Sequence, residues 1–351
     1  MLDIQLAKEL KEKPDTKKLG FGKYFTDHMF IMDYTDEKWR NPRIVPYEDL
    51  AFSPATMVFH YGQGVFEGLK AFKNQDDDIL LFRPKENFKR MNASCNRLCI
   101  PPIDEDFALD ALKELLKIEK DWIPKEENTC VYIRPFIFAS EVGLGVRPAK
   151  DYKFIMILSP SGSYYGTLGT TKILIEDEYT RACPGGTGNT KAISNYAMSL
   201  KAQEKAIAKG YDQVLWLDAI HKKYIEEVGT MNVCFKINGA VYTAPLDGTI
   251  LPGITRDSII KILHNMGVEV REERLAVEDL IEYGKKGQLE EAFGVGTAAK
   301  ISPIGEFLYK DEKIIVNNNE IGELSRTLFD TLTNIQTGVA KDELNFTLKF
   351  K

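Results

Sequence analysis

Between Ser159 and Thr170 the apolar core pattern of the chain stops. Ser159-Pro160-Ser161-Gly162-Ser163-Tyr164-Tyr165-Gly166-Thr167-Leu168-Gly169-Thr170 consists mostly of small polar and turn-forming residues, with strand-like apolar stretches on either side. A chain interrupted in this way is expected to fold as two bodies with a linker between them. Length agrees, since 351 residues with 44% hydrophobic side chains can bury two sizeable cores.

A net charge of −6 argues against a general attraction to nucleic acid or to an anionic membrane. Small anionic substrates would need a local cluster of arginines. The five cysteines, Cys95, Cys99, Cys130, Cys183 and Cys234, form no CxxC pair. Cys95 and Cys99 have the i,i+4 spacing of half a metal site, but no histidine nearby completes one, and buried free thiols in a reducing compartment are the better reading. No metal is expected. The N-terminus mixes Asp3, Glu9 and Glu12 with lysines and lacks an apolar h-region, and the longest apolar run, Phe154 to Leu158, is too short to cross a bilayer. The expected location is the cytoplasm.

Along the chain, residues 4–13 carry a short helical pattern that Pro14 ends. Leu19 to Met32 reads as an extended segment around Gly20-Phe21-Gly22. Ile79 to Arg83 predicts a strand, and Pro84 starts a helix that carries Arg90 and turns Phe88, Met91 and Leu98 inward. Residues 108–119 form a strong amphipathic helix through Ala108, Leu112, Leu115 and Leu116. Cys130 to Ile137 and Lys153 to Leu158 have the aromatic and β-branched content of buried strands, and Lys172 to Glu176 and Gln213 to Leu217 read the same way. Asn238-Gly239 between Val233–Ile237 and Val241–Thr243 is a hairpin signal. Gly253-Ile254-Thr255 opens a helix to about Met266, Leu280 to Tyr283 lies in another, and Phe293 to Ala298 reads as a glycine-rich turn.

The chemistry concentrates around one lysine. Lys191 follows eight uncharged residues, Cys183-Pro184-Gly185-Gly186-Thr187-Gly188-Asn189-Thr190, and precedes Ala192-Ile193-Ser194. A lysine with so little polar company is a candidate nucleophile. Beyond it Ile193, Tyr196, Ala197, Leu200 and Ile207 keep helical spacing toward a closing Gly210. A phosphate loop of the Walker type needs glycine directly before the lysine, where this chain has Thr190. The helix start after Gly253 and the Gly294–Ala298 turn both offer backbone N–H groups to an anion, although ordinary caps and turns would look the same. Of Glu226 and Glu227, entering a strand together, one should point inward and require a cationic partner, either a protonated ligand nitrogen or an arginine.

Taken together, Phe25-Thr26-Asp27-His28-Met29, Phe66-Glu67-Gly68-Leu69-Lys70-Ala71-Phe72, Leu81-Phe82-Arg83-Pro84, Tyr132-Ile133-Arg134-Pro135, Val214-Leu215-Trp216-Leu217, Glu227-Val228-Gly229-Thr230-Met231-Asn232 and Leu251-Pro252-Gly253-Ile254-Thr255-Arg256 resemble the branched-chain amino acid aminotransferases. The resemblance is collinear from about Gly20 to beyond Thr297. It implies the α/β (α+β) architecture of fold-type IV pyridoxal 5′-phosphate (PLP) enzymes: mixed sheets with flanking helices, two domains with the cofactor at their junction, and a homodimer. The expected division is an N-terminal α/β domain over 1–160, a linker over 161–171 and a C-terminal α/β domain over 172–351 carrying the lysine.

By the same resemblance, Lys191 is the lysine that bonds to PLP and shuttles the substrate proton. Glu227 faces the pyridinium nitrogen and Tyr196 the ring oxygen, while Arg90, Ile254, Thr255 and Thr297 hold the phosphate and Thr230 lies near ring and substrate. Backbone N–H groups of Thr297 and Ala298 would take the α-carboxylate, and Phe21, Tyr61, Tyr132 and Arg134 would shape the side-chain pocket. That pocket must accept leucine, isoleucine or valine and also the γ-carboxylate of glutamate. Read locally, Tyr132 and Arg134 share a strand face that fits a structural ion pair equally well. The implied reaction is ping-pong transamination between branched-chain amino acids and 2-oxoglutarate.

Departures are few. Mammalian members carry a CxxC pair where this chain has Ala299 and Ser302, so thiol regulation of that kind is not expected. One residue is inserted in the loop around Asp218 to Lys223. A D-amino acid aminotransferase or aminodeoxychorismate lyase would keep Lys191 and Glu227 but is usually shorter and lacks the Glu227–Asn232 string in this form. In a noncatalytic binding protein, the two would merely pair with each other.

Overall fold

The structure, a computed structural model, describes residues 2–162 and 168–351. The chain forms two compact units, the first from Met1–Gly166, Lys191–Ser194 and Asn334–Lys351, the second from Thr167–Thr190 and Asn195–Thr333. Of the expected linker, 163–167 lie outside the described residues. The expected assignment of Lys191 to a C-terminal domain of 172–351 differs from this division. Lys191–Ser194 pairs by backbone hydrogen bonds with Gly64–Phe66, and the C-terminal residues return to the first unit as a strand.

In the first unit the elements in chain order are β1 (Asp3–Ile4), β2 (His28–Thr35), β3 (Lys38–Pro46), α1 (Met57–Tyr61), β4 (Gly64–Phe66), β5 (Leu69–Lys73), β6 (Ile79–Phe82), α2 (Pro84–Arg97), α3 (Glu105–Ile118), β7 (Cys130–Ala139) and β8 (Tyr152–Ser161). The aromatic and β-branched strands β7 and β8 pair antiparallel along their whole length. Around them the sheet runs β1-β3-β2-β8-β7-β5-β6, with β4 on β7. Phe88 and Met91 of α2 and the Ala108, Leu112, Leu115 and Leu116 stripe of α3 pack into one core with Leu69, Ala71, Val131 and Ile133. Asp104 caps α3 by accepting from the Phe107 N–H.

Residues 4–13 do not form the expected helix. Leu6 and Leu10 are exposed, and the segment is tied down irregularly, its Ala7 and Lys11 N–H groups donating to His28 Nε2 and Asp27 Oδ1. Those side-chain acceptors replace the i−4 carbonyls a helix would have used.

The second unit contains β9 (Thr171–Glu176), α4 (Ser194–Met198), α5 (Leu200–Ala208), β10 (Gln213–Leu217), β11 (Ile225–Val228), β12 (Met231–Ile237), β13 (Ala240–Thr243), α6 (Ile254–Asn265), β14 (Val270–Glu272), α7 (Val277–Lys285), β15 (Leu289–Gly296), β16 (Lys300–Tyr309) and β17 (Glu312–Ile315). Helix α8 (Glu323–Thr337) follows, and β18 (Thr347–Phe350) joins β6 in the first unit's sheet. The second sheet is mixed, in the order β11-β10-β9-β16-β15-β12-β13-β14. Because β11 also pairs with β12, the strands from β11 to β12 close on themselves. Asn238 and Gly239 both have positive φ, as the hairpin signal requires.

Three local expectations change here. The segment after Lys191 is two helices, and the face of α5 that packs on the sheet is Ala202 and Ala206, while Ala197, Leu200 and Ile207 are exposed. Small side chains let the helix approach Val214 and Trp216 closely. Phe293–Gly296 is strand and only Thr297–Ala299 is turn. A Cβ on Gly294 would stand 2.7 Å from Met231 Cε, so those glycines serve packing. Finally, both Glu226 and Glu227 are buried rather than one of them.

Candidate active site

In the first unit Lys191 sits on the short extended segment paired with β4. Its N–H donates to Ser94 Oγ (3.0 Å), its carbonyl accepts from the Phe66 N–H (3.1 Å), and its Nζ lies 4.6 Å from the centre of the Phe66 ring. One turn of α2 before Ser94 stands Arg90, buried and paired with Glu67 through Nε–Oε1 at 2.7 Å and Nη2–Oε2 at 2.9 Å. Burial alone would push the Glu67 carboxyl up. The charge and hydrogen bonds of Arg90, the charge of Lys191 and the Asn87 amide together hold it below its ordinary range.

Of the residues expected to shape the side-chain pocket, three gather at the same sheet. Arg134 donates from Nη2 to Tyr132 Oη (3.0 Å) and lies 4.5 Å from the Phe66 ring centre, while the Phe21 ring meets Tyr132 edge-on at 4.9 Å. Arg134 Nε is buried without a hydrogen-bond partner among the described residues. Its surroundings are aromatic, so the ion-pair alternative is not the arrangement adopted. Tyr61 is half exposed at the end of α1, donating its hydroxyl to the Leu144 carbonyl, and no ring contact or hydrogen bond among the described residues ties it to Tyr132 or Arg134.

In the second unit Tyr196, Glu227 and Thr230 line one open cavity, together with Arg181, Thr190, Asn195 and Leu251. Glu227 Oε1 accepts from the Leu251 N–H (2.8 Å) and Asn232 Nδ2 (3.2 Å). Its Oε2 lies 3.2 Å from Arg181 Nε, close enough for an ion pair but too poorly aligned for a hydrogen bond. Glu226, on the opposite face of β11, lines a separate cavity with Asp218, Thr249 and Arg274. There its Oε2 has no hydrogen-bond partner, and burial pushes its carboxyl up against a hydrogen bond from Thr249 and the charge of Arg181.

Ile254 and Thr255 form the first turn of α6 and are buried; Thr297 and Ala298 form the turn between β15 and β16. Asn232 links these places, since it bonds both Glu227 and the Leu251 carbonyl and pairs in register with Val295. Gly253 permits that approach, as a Cβ there would sit 2.0 Å from Asn232 Oδ1. Of the expected phosphate ligands, Arg90 thus belongs to the first unit and Ile254, Thr255 and Thr297 to the second.

Local sequence reasoning passed over Arg181, Ser94, Asn195 and the partnership of Glu67 with Arg90. Arg181 donates to the carbonyls of Gly188 and Thr249, and Asn195 closes the lysine turn by donating to the carbonyls of Thr187 and Thr190. A Cβ on Gly188 would come within 2.4 Å of both Ala182 Cβ and the Thr249 carbonyl, so this glycine serves close packing. The only sequence signal for Arg181 was its position just before the glycines.

Residues 64–307 match the family described as amino-transferase class IV. The chain is 54% identical to branched-chain-amino-acid aminotransferase 2 of Bacillus subtilis over 98% of its own length and 95% of the relative's. It is 42% identical to the branched-chain-amino-acid aminotransferase of Mycolicibacterium smegmatis, with 92% and 90% covered. Among solved structures, the branched-chain amino acid aminotransferase of Escherichia coli superposes with a TM-score of 0.77 at 27% identity, over 92% of this chain and 98% of that one.

Proposed function

Because the chain belongs to the class IV aminotransferases and is a branched-chain-amino-acid transaminase that uses PLP, we propose that Lys191 is its cofactor-bearing lysine and Glu227 the partner of the pyridine nitrogen. The residues fit the group. A phosphate calls for Arg90, for the N–H groups of Ile254 and Thr255 and for the Thr297 side chain, a protonated ring nitrogen for Glu227, and a ring oxygen for the Tyr196 hydroxyl. The observation that carries the reading is the cavity lined by Tyr196, Glu227 and Thr230.

Bound there, PLP supplies a ring that takes up the electrons released when the substrate Cα loses its proton. Every other task falls to the protein. Lys191 Nζ holds the cofactor, then acts as base and acid on the substrate proton. Glu227 stays ionised to keep the ring nitrogen protonated. Thr297 and Ala298 N–H groups receive the α-carboxylate and Thr230 lies beside ring and substrate. Phe21, Tyr61 and Tyr132 receive an aliphatic side chain, and Arg134, with its buried unpartnered Nε, accepts the γ-carboxylate of glutamate when the second substrate pair is processed.

The substrates are amino and oxo acids, specifically leucine, isoleucine and valine with 2-oxoglutarate. We place the protein in the cytoplasm; no helix among the described residues is long and apolar enough to cross a membrane. A homodimer is proposed as well, supported by the exposed apolar side chains of Phe59, Val142, Leu144 and Val146 in the first unit. Light scattering at the monomer mass would refute it.

The test is direct. The purified protein should be yellow, lose that band to borohydride, and form glutamate from leucine and 2-oxoglutarate. A colourless protein that gains no band with PLP, or activity with D-alanine alone, would overturn the reading.

A further inference from the structure

Glu67 is fully buried in the loop between β4 and β5, its own N–H fixed to the Pro135 carbonyl at 2.7 Å. Its carboxylate collects donors from three directions. Arg90 approaches side-on through Nε and Nη2, Asn87 Nδ2 reaches Oε2 at 2.7 Å, and the Gly68 N–H reaches Oε2 at 3.1 Å. Asn87 and Arg90 lie one turn apart on α2, so the same carboxylate grips two points of that helix. A side-on pair fixes the plane of a guanidinium and directs its Nη1 end away from the carboxylate. An arginine is otherwise among the side chains with the most rotamer freedom to lose.

We propose that Glu67 is a positioning residue that holds the Arg90 guanidinium in the orientation in which it meets the cofactor phosphate. The proposal rests on the reading of Arg90 as a phosphate ligand. A buried ion pair is seldom the most stable filling for a core, and apolar residues of the same volume would serve packing as well or better. A carboxylate saturated by four hydrogen bonds gives orientation instead. The negative charge of Glu67 also reaches Lys191, so one fixed anion acts on both Arg90 and Lys191.

The experiment measures release of PLP from the holoenzyme, and binding of pyridoxal, which lacks the phosphate, to the stripped full-length protein. Glu67→Gln should weaken PLP at least about tenfold and pyridoxal far less, because the phosphate contact is lost only with PLP. In a cycle with Arg90→Ala, adding Glu67→Gln should cost nothing further. Where Glu67→Gln fails to fold, Glu67→Asp keeps the charge, withdraws it by one methylene and should show the same phosphate-selective loss. If Arg90→Ala weakens PLP while the folded Glu67 variant binds it like the parent, the positioning role is wrong. If Arg90→Ala itself leaves PLP binding intact, the phosphate reading fails instead.

Discussion

Arg181 Nε stands 3.2 Å from Glu227 Oε2, and neither side chain exceeds 8% exposure. Sequence reasoning had left open whether Glu227 would find an arginine or a ligand nitrogen, and here the arginine is present. Its guanidinium is anchored chiefly on the carbonyls of Gly188 and Thr249 and meets Glu227 out of alignment. Such a contact places a positive charge beside the carboxylate without a hydrogen bond from Nε.

Removing that arginine takes a cation from beside a buried carboxylate. Arg181→Met should therefore destabilise the protein by about 3–5 kcal/mol, the usual cost of an orphaned buried charge. Urea unfolding measures it, and Glu227→Gln added to Arg181→Met should recover part of the loss. A loss near zero would mean that the pair is solvated in solution.

Lys191→Ala should lose turnover by several orders of magnitude while the protein still binds PLP noncovalently, since holding group and base are removed together. Dialysis should strip the cofactor and borohydride should fix none. Near-normal turnover would point to another lysine.

The pH response of Glu226 has a definite sign. Burial raises its folded pKa above the unfolded value, so the folded state binds the proton more tightly, and stability falls as pH rises from the unfolded value through the folded one. Glu226→Gln should accordingly raise the unfolding midpoint at pH 8 more than at pH 4.5. An equal shift at both would show that the carboxyl titrates normally.

A Cβ on Gly68 would stand 2.0 Å from Tyr132 Oη. Gly68→Ala should push the phenol away from Arg134 and raise KM for the amino acid with a smaller effect on PLP retention. If KM is unchanged, Tyr132 does not shape the substrate pocket.

Much of the fold was legible because its signals are local. Asn238-Gly239 demands positive φ at both positions, Pro84 can only begin a helix, and the α3 stripe repeats at helical period. Two misreadings share a cause. In α5 the hydrophobicity of Leu200 and Ile207 outweighed the alanines that pack, and in residues 4–13 a helical period hid acceptors that come from His28 and Asp27. Lys191, Tyr196 and Glu227 stand out in the sequence through motifs. The pairing of Lys191 with β4 and of Arg90 with Glu67 joins residues too distant along the chain for any periodicity to reveal.

The return of β18 to β6 bears on biosynthesis. The ribosome makes the whole second unit after β6 and before Thr347, so throughout that interval β6 has no partner on one side. The N-terminal sheet therefore cannot be finished in the order in which it is translated. Ribosome-bound chains stalled before Thr347 should expose the apolar β6 to proteolysis and chaperone capture, and released chains that carry Thr347–Phe350 should not.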